Sequence, residues 1–191
     1  MSDEQTRLVE RLLREASRLH EQAAGQSSAA VVAVAGTLQA AFAHDRKALL
    51  FGNGGSALDA QHFAAELVGR YGKERQALPA LALTTDTSIL TSVANDYTYE
   101  RVFVRQVEAL GRAGDVAIGI STSGNSANVL AALKTARSRG MTTVAFTGRD
   151  GGAIGAVVDV HVNVPHAVTA RVQEVHRSLI HAVCELVERD L

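Results

Sequence analysis

The amino-acid sequence predicts an α/β fold: a three-layer sandwich with a central parallel sheet of about five strands flanked by helices, and extra helices at the N-terminus. Two observations carry this. Short apolar runs alternate with longer runs of helical spacing, and most of the short runs are hydrophobic almost without interruption, as strands covered on both faces of a parallel sheet must be. The 191 residues, 47% hydrophobic and 20% charged, suffice for one sizeable core, so a single domain over residues 1–191 is expected.

The elements follow in order. Residues 4–24 and 27–44 have helical spacing, and the first of these segments is charged and amphipathic with no apolar signal core. Strands are expected at 47–52 (KALLFG), 77–83 (ALPALAL), 115–121 (DVAIGIS), 142–148 (TTVAFTG) and 158–164 (VDVHVNV). Between them, residues 56–71, 99–110 and 125–139 carry Ala, Leu and Val at helical spacing, and a long helix over 167–189 closes the chain. Strand and helix in alternation imply right-handed crossovers.

Composition removes several classes of function. A formal net charge of -1 offers no basic surface for nucleic acid. No apolar window approaches the length of a membrane span. The one cysteine, Cys184, excludes an internal disulfide, suits core packing in the last helix, and fits a reducing compartment, so a cytoplasmic protein is expected.

In such folds ligands bind outside the carboxyl ends of the strands. The loops after strands one and three fall there, and they read alike: GNGGSA (52–57) and STSGNSAN (121–128), each leading into a helix. Glycine permits positive φ, hydroxyls donate hydrogen bonds, and a first helical turn offers unpaired N–H groups to an anion. Such residues also build ordinary turns and caps, but two loops of this kind at one edge point to a phosphate. Neither loop has the glycine spacing of a dinucleotide site, and neither has a P-loop lysine.

Just beyond the first loop, His62 and Glu66 stand four residues apart, so imidazole and carboxylate can converge on one point, a metal or a substrate carbon. The last helix adds Gln173, Glu174, His176 and His181. Histidines on so apolar a helix are more often core or interface groups than catalysts. Gln173 and His181 are eight residues apart, about 12 Å along a straight helix. One metal with bonds near 2 Å takes both only if the helix bends or if two subunits contribute.

The segments GNGGSA, AQHFAAEL, TTDTSILTSVANDY, ISTSGNSANV and RVQEVHRSLIH together resemble the sugar isomerase (SIS) fold family, over nearly the whole chain. Within it the His/Glu and Gln/His pairs resemble the branch that acts on a seven-carbon sugar phosphate. The resemblance implies conversion of sedoheptulose 7-phosphate to D-glycero-D-manno-heptose 7-phosphate, a precursor of lipopolysaccharide and other heptosylated glycans. It implies a homotetramer with active sites between subunits, with the N-terminal 45 residues packing on the core or at the tetramer interface. It places phosphate on Ser121, Thr122, Ser123 and Ser126 with Ser56 nearby, the sugar on Asn53, Gly54, Gly55, Asn95 and Asp96, and zinc on His62, Glu66, Gln173 and His181. Glu66 then moves the carbon-bound proton and His181 the protons of the substrate oxygens. Some SIS tetramers are not enzymes and bind the replication initiator protein instead. They lack the acidic residue and the C-terminal histidine that this chain has as Glu66 and His181.

Overall fold

The computed structural model describes residues 3–189. Five strands, β1 (Ala48–Gly52), β2 (Ala80–Ala82), β3 (Val116–Ser121), β4 (Thr142–Gly148) and β5 (Val160–Val164), form one wholly parallel sheet in the order β2-β1-β3-β4-β5. Ala48 lies opposite Val116 and Gly52 opposite Ile120, so the two central strands end together. The order reverses at this pair, and the crevice between their carboxyl ends is the place where such sheets bind ligands. Every residue of β1 and β3 is buried, as their uninterrupted apolar runs require.

Among the described residues, eight α-helices surround the sheet: α1 (Asp3–Gln26), α2 (Ser28–Phe42), α3 (Gly55–Val68), α4 (Thr87–Asp96), α5 (Val104–Leu110), α6 (Ala127–Ser138), α7 (Gly152–Gly155) and α8 (Thr169–Arg189). Alternate strand residues divide the interior into two layers. Ala48 and Leu50 join Phe63 of α3, Leu38 of α2 and Val183 of α8 on one face. Leu49 and Phe51 join Val107 of α5 and Leu133 of α6 on the other. Among the described residues, no helix is long and apolar enough to cross a membrane.

The sequence expectations hold in type and order, with informative differences. The second strand is three residues long instead of seven, because Pro79 has no N–H for a ladder and the Leu78 N–H is spent on the Leu67 carbonyl at 3.1 Å. The helix expected over 99–110 is a single 3-10 turn (Tyr99–Arg101) followed by α5, since Val102 and Phe103 turn into the core between them. α4 and α7 were not expected. α4 is rich in Thr and Ser, has no buried residue, and starts because the Asp86 carboxylate accepts the Ile89 N–H at 2.9 Å.

α3 and α8 lie side by side and run in the same direction. A Cβ at Gly55 would collide with the Gln173 carboxamide, Asp59 meets Arg177 at 3.1 Å, and His62 meets His181 at 2.7 Å. Each step is about one helical turn on both helices. Past the end of α3, Glu188 accepts the backbone N–H groups of Tyr71, Gly72 and Lys73 at 2.6, 2.8 and 2.9 Å, and pairs with Arg75 at 2.9 Å. Arg75 in turn donates to the Glu66 and Leu67 carbonyls at 2.8 and 2.9 Å, which the last turn of a helix leaves unpaired. Both side chains are buried, and removing one partner of a buried pair costs about 3–5 kcal/mol.

Burial opposes the charge on Glu188, but the three N–H groups and Arg75 outweigh it and bring its carboxyl down from 4.5 to about 2. A depressed carboxyl pKa stabilises the fold above its unfolded value and loses that contribution as pH falls through the folded one. The melting-temperature gap between wild type and Glu188→Gln is therefore expected to be full above about pH 5 and to narrow as pH falls toward 2. A gap independent of pH over that window would show that the Glu188 charge does not carry the contact.

Candidate functional site

The first loop leaves β1 through Asn53 and Gly54, whose φ of 56° favours glycine, and enters α3 with Ser56 buried in its first turn. The second leaves β3 at Ser121 and enters α6 at its N-cap, Ser126. The Ser126 side chain does not cap its own helix. Its hydroxyl meets that of Ser121 at 2.9 Å, and Ser121 lies 3.4 Å from the Ser123 hydroxyl. Three hydroxyls thus gather beside the open N-terminus of α6, with Thr122 half-buried in the same turn. Gly124 has a φ of 67°, and the Gly151 carbonyl leaves no room for a side chain there.

The two loops are joined. Asn53 donates to Asn128 Oδ1 at 2.8 Å, and its own Oδ1 accepts from Asn128 Nδ2 and the Tyr99 hydroxyl, both at 2.9 Å. Asn128 and Tyr99 are participants the sequence reading missed. Asn128 is 4% exposed, and a buried amide must be partnered, but a one-chain sequence gives no sign that its partner is Asn53. Asn95 and Asp96 sit exposed at the end of α4 and bond to each other at 2.8 Å. The chain then runs through Tyr99 back to Asn53.

Down α3 from the cradle, one ligand atom from each of His62, Glu66 and His181 lies within 4.8 Å of the others. His62 Nε2 is 3.6 Å from Glu66 Oε1 and 2.7 Å from His181 Nε2. All three are partly exposed, so a ligand can reach them. Gln173 does not join this cluster within the chain. α8 is uninterrupted, so Gln173 stands about two turns toward the helix start, with its carboxamide on Gly55. Gln173, Arg177 and His181 line one cleft with His20 of α1.

Asp59, one turn before His62, was also missed by the sequence reading. It is 1% exposed, and its Oδ1 takes Arg177 at 3.1 Å while Oδ2 has no partner among the described residues. Burial raises its carboxyl pKa despite the Arg177 hydrogen bond and charge. His176, by contrast, is a core group: fully buried, donating Nε2–H to the Thr147 carbonyl at 2.9 Å, and brought down by burial to about 4.

A doubly wound parallel sheet with two hydroxyl- and glycine-rich loops at its switch point is the frame that comparison with known proteins identifies. A family model described as "SIS domain" matches residues 12–148, and the chain belongs to that family. A phosphoheptose isomerase of Roseiflexus sp. (strain RS-1) is 60% identical, with 84% of this chain and 82% of that protein covered. One of Neisseria meningitidis serogroup B (strain MC58) is 54% identical over 96% of each. The solved structure of phosphoheptose isomerase GmhA from Neisseria gonorrhoeae superposes with a TM-score of 0.92 at 49% identity, covering 96% of this chain and 98% of that one.

Titration with inorganic phosphate, followed by amide NMR, is expected to shift residues 53–57 and 122–128 together. Replacing both Ser121 and Ser123 by Ala should weaken that binding by at least about tenfold, the worth of one or two hydrogen bonds to a charged group. Unchanged affinity would remove the hydroxyls from the anion site.

Proposed function

We propose that this chain is an aldose–ketose isomerase converting sedoheptulose 7-phosphate to D-glycero-D-manno-heptose 7-phosphate, as in heptose biosynthesis. The observation that carries the reading is the convergence of His62, Glu66 and His181 on the helix that opens at the first loop, in a chain whose relatives at 53–60% identity bear the name phosphoheptose isomerase. Ser121, Thr122, Ser123 and Ser126 hold the phosphate with Ser56, and Asn53, Gly54, Gly55, Asn95 and Asp96 face the sugar, joined by the Gln173 that a neighbouring subunit contributes to the site. Held this way, the phosphate fixes the reacting carbons over α3 and α8 without taking part in the chemistry.

Glu66 removes a proton from C1 of the ketose while His181 delivers one to the C2 oxygen, giving the enediol. Glu66 then returns its proton to C2 and the C1 hydroxyl gives its proton back to His181, leaving the aldehyde. The oxygen Oε1 of Glu66 is the one turned toward His62, which leaves Oε2 for the carbon-bound proton.

Two imidazoles and a carboxylate within 4.8 Å of one another fit the nitrogen and oxygen ligation of zinc. Bound there, zinc would polarise the carbonyl and steady the enediolate oxygens as a Lewis acid. His62, Glu66 and His181 of one chain would hold it, with Gln173 supplied by a neighbouring subunit of a homotetramer, since helix rise separates it from His181 within the chain. We place the protein in the cytoplasm because its one cysteine is a free thiol packed in the core, so no internal disulfide ties the chain, as suits a reducing compartment.

In deuterated water, purified protein is expected to turn sedoheptulose 7-phosphate into an aldoheptose 7-phosphate, read by NMR. Glu66→Gln should lower turnover by about 10²–10⁴-fold while the sugar phosphate still binds. Full turnover in that variant would end the assignment of the base. Elemental analysis should show His62→Ala losing bound metal. Mixed tetramers of Gln173→Ala and His181→Ala subunits should exceed either parent in activity, and hybrids as inactive as the parents would confine the site to one chain.

A further inference from the structure

The segment after α3, residues 69–78, carries Tyr71, whose ring centroid lies 5.6 Å from that of His181 at an interplanar angle of 40°. The His181 ring also meets His62, with centroids 5.0 Å apart and an angle of 64°. Two rings therefore pack against His181, His62 from within the clustered trio and Tyr71 from outside it. Tyr71 is half-buried and packs against the core layer that holds α3 and α8. Its backbone is held as firmly as its ring: the Tyr71 N–H donates to Glu188 Oε1 at 2.6 Å, and Arg75 ties the same carboxylate to the Glu66 carbonyl.

From this we infer that Tyr71 is a positioning residue for the His181 imidazole, seated by the buried Glu188–Arg75 pair. An imidazole that shuttles protons between two neighbouring oxygens must keep its ring plane while the proton moves, and a 1 Å displacement is enough to slow such a step. His181 is anchored at its Cβ by α8, which leaves rotation about the side-chain bonds to be limited by neighbours. Tyr71 supplies the wall on one side. Glu188 lies seven residues beyond His181 on the same helix, so α8 carries both the imidazole and the anchor of the residue that orients it. This inference rests on His181 being the proton shuttle of the isomerase.

The test compares Tyr71→Phe, Tyr71→Leu and Tyr71→Ala in the full-length protein with sedoheptulose 7-phosphate. The ring alone is needed, so Tyr71→Phe should stay within about twofold of wild type. Tyr71→Ala should lose at least tenfold in kcat with KM within threefold, because the phosphate loops open α3 and α6 at their N-termini, whereas Tyr71 lies past the C-terminus of α3. Tyr71→Leu keeps apolar bulk, stands in if the alanine variant fails to fold, and should lose kcat to an intermediate degree. The His181 Hε1 resonance should move in Tyr71→Ala and Tyr71→Leu by more than in any other histidine, and that readout needs no substrate. An unchanged kcat in the alanine or leucine variant, a loss confined to KM, or a phenylalanine variant as slow as alanine would each overturn the inference. Absence of turnover in wild type would sink the isomerase reading instead, and the resonance shift would still report whether Tyr71 sets the ring.

Discussion

The side-by-side, same-direction pairing of α3 and α8 is the constraint on which the rest of the site depends. Neither helix alone brings its functional groups to a point, because α3 supplies His62 and Glu66 while α8 supplies His181. Their relative height is set by contacts of three chemical kinds: the Gln173 carboxamide seated on a bare Gly55, the Asp59–Arg177 pair, and the carboxylate of Glu188 closing over the chain beyond α3. A slip of one residue on either helix would turn an imidazole by about 100° and carry it away from its partner. A side chain at 55 would have to displace the Gln173 carboxamide, while the charged contacts are directional, so more than one kind of contact holds the register.

Charge inside this layer is handled in two opposite ways. Glu188 is saturated with donors and kept ionised well below the usual carboxylate range. Asp59 has one arginine bond, one oxygen without a partner among the described residues, and a raised pKa. Both are buried, but three backbone N–H groups and an arginine outweigh burial at Glu188, whereas burial outweighs the single arginine at Asp59. Glu188 sits at the end of the helix pair away from the two hydroxyl-rich loops, and Asp59 sits one turn from His62.

Much of this was legible in the sequence, and what was not has physical reasons. The five strands, their parallel character and the two loops follow from local pattern: apolar runs, Gly and Ser after them, helical spacing beyond. His62 and Glu66 follow from the period of one helix. His181 was legible only through the family resemblance, since its neighbours on α8 make it look like a core histidine of the kind His176 is. Asn128, Tyr99, Asp59 and Tyr71 were not legible, because each acquires its role from a residue at least 46 positions away in the chain, and spacing carries no record of such a partner. α4 escaped because Thr and Ser are weak helix formers and its start depends on one aspartate cap.

The division of the interior by the sheet has a further meaning for how this protein can change. In the proposed site, His62, Glu66 and His181 ride on α3 and α8, in the layer filled by Leu50, Phe63 and Val183, whereas the second hydroxyl-rich loop opens onto α6, in the layer filled by Phe51, Val107 and Leu133. The sheet insulates one packing problem from the other. Mutations that drift through the α5–α6 side can retune the second loop with little effect on the packing under His62, Glu66 and His181, whereas α3 carries Ser56 of the first loop as well as His62 and Glu66 and is shared by both tasks. A lineage could therefore keep its handle on phosphorylated sugars while rewriting, or abandoning, the reaction carried out on them.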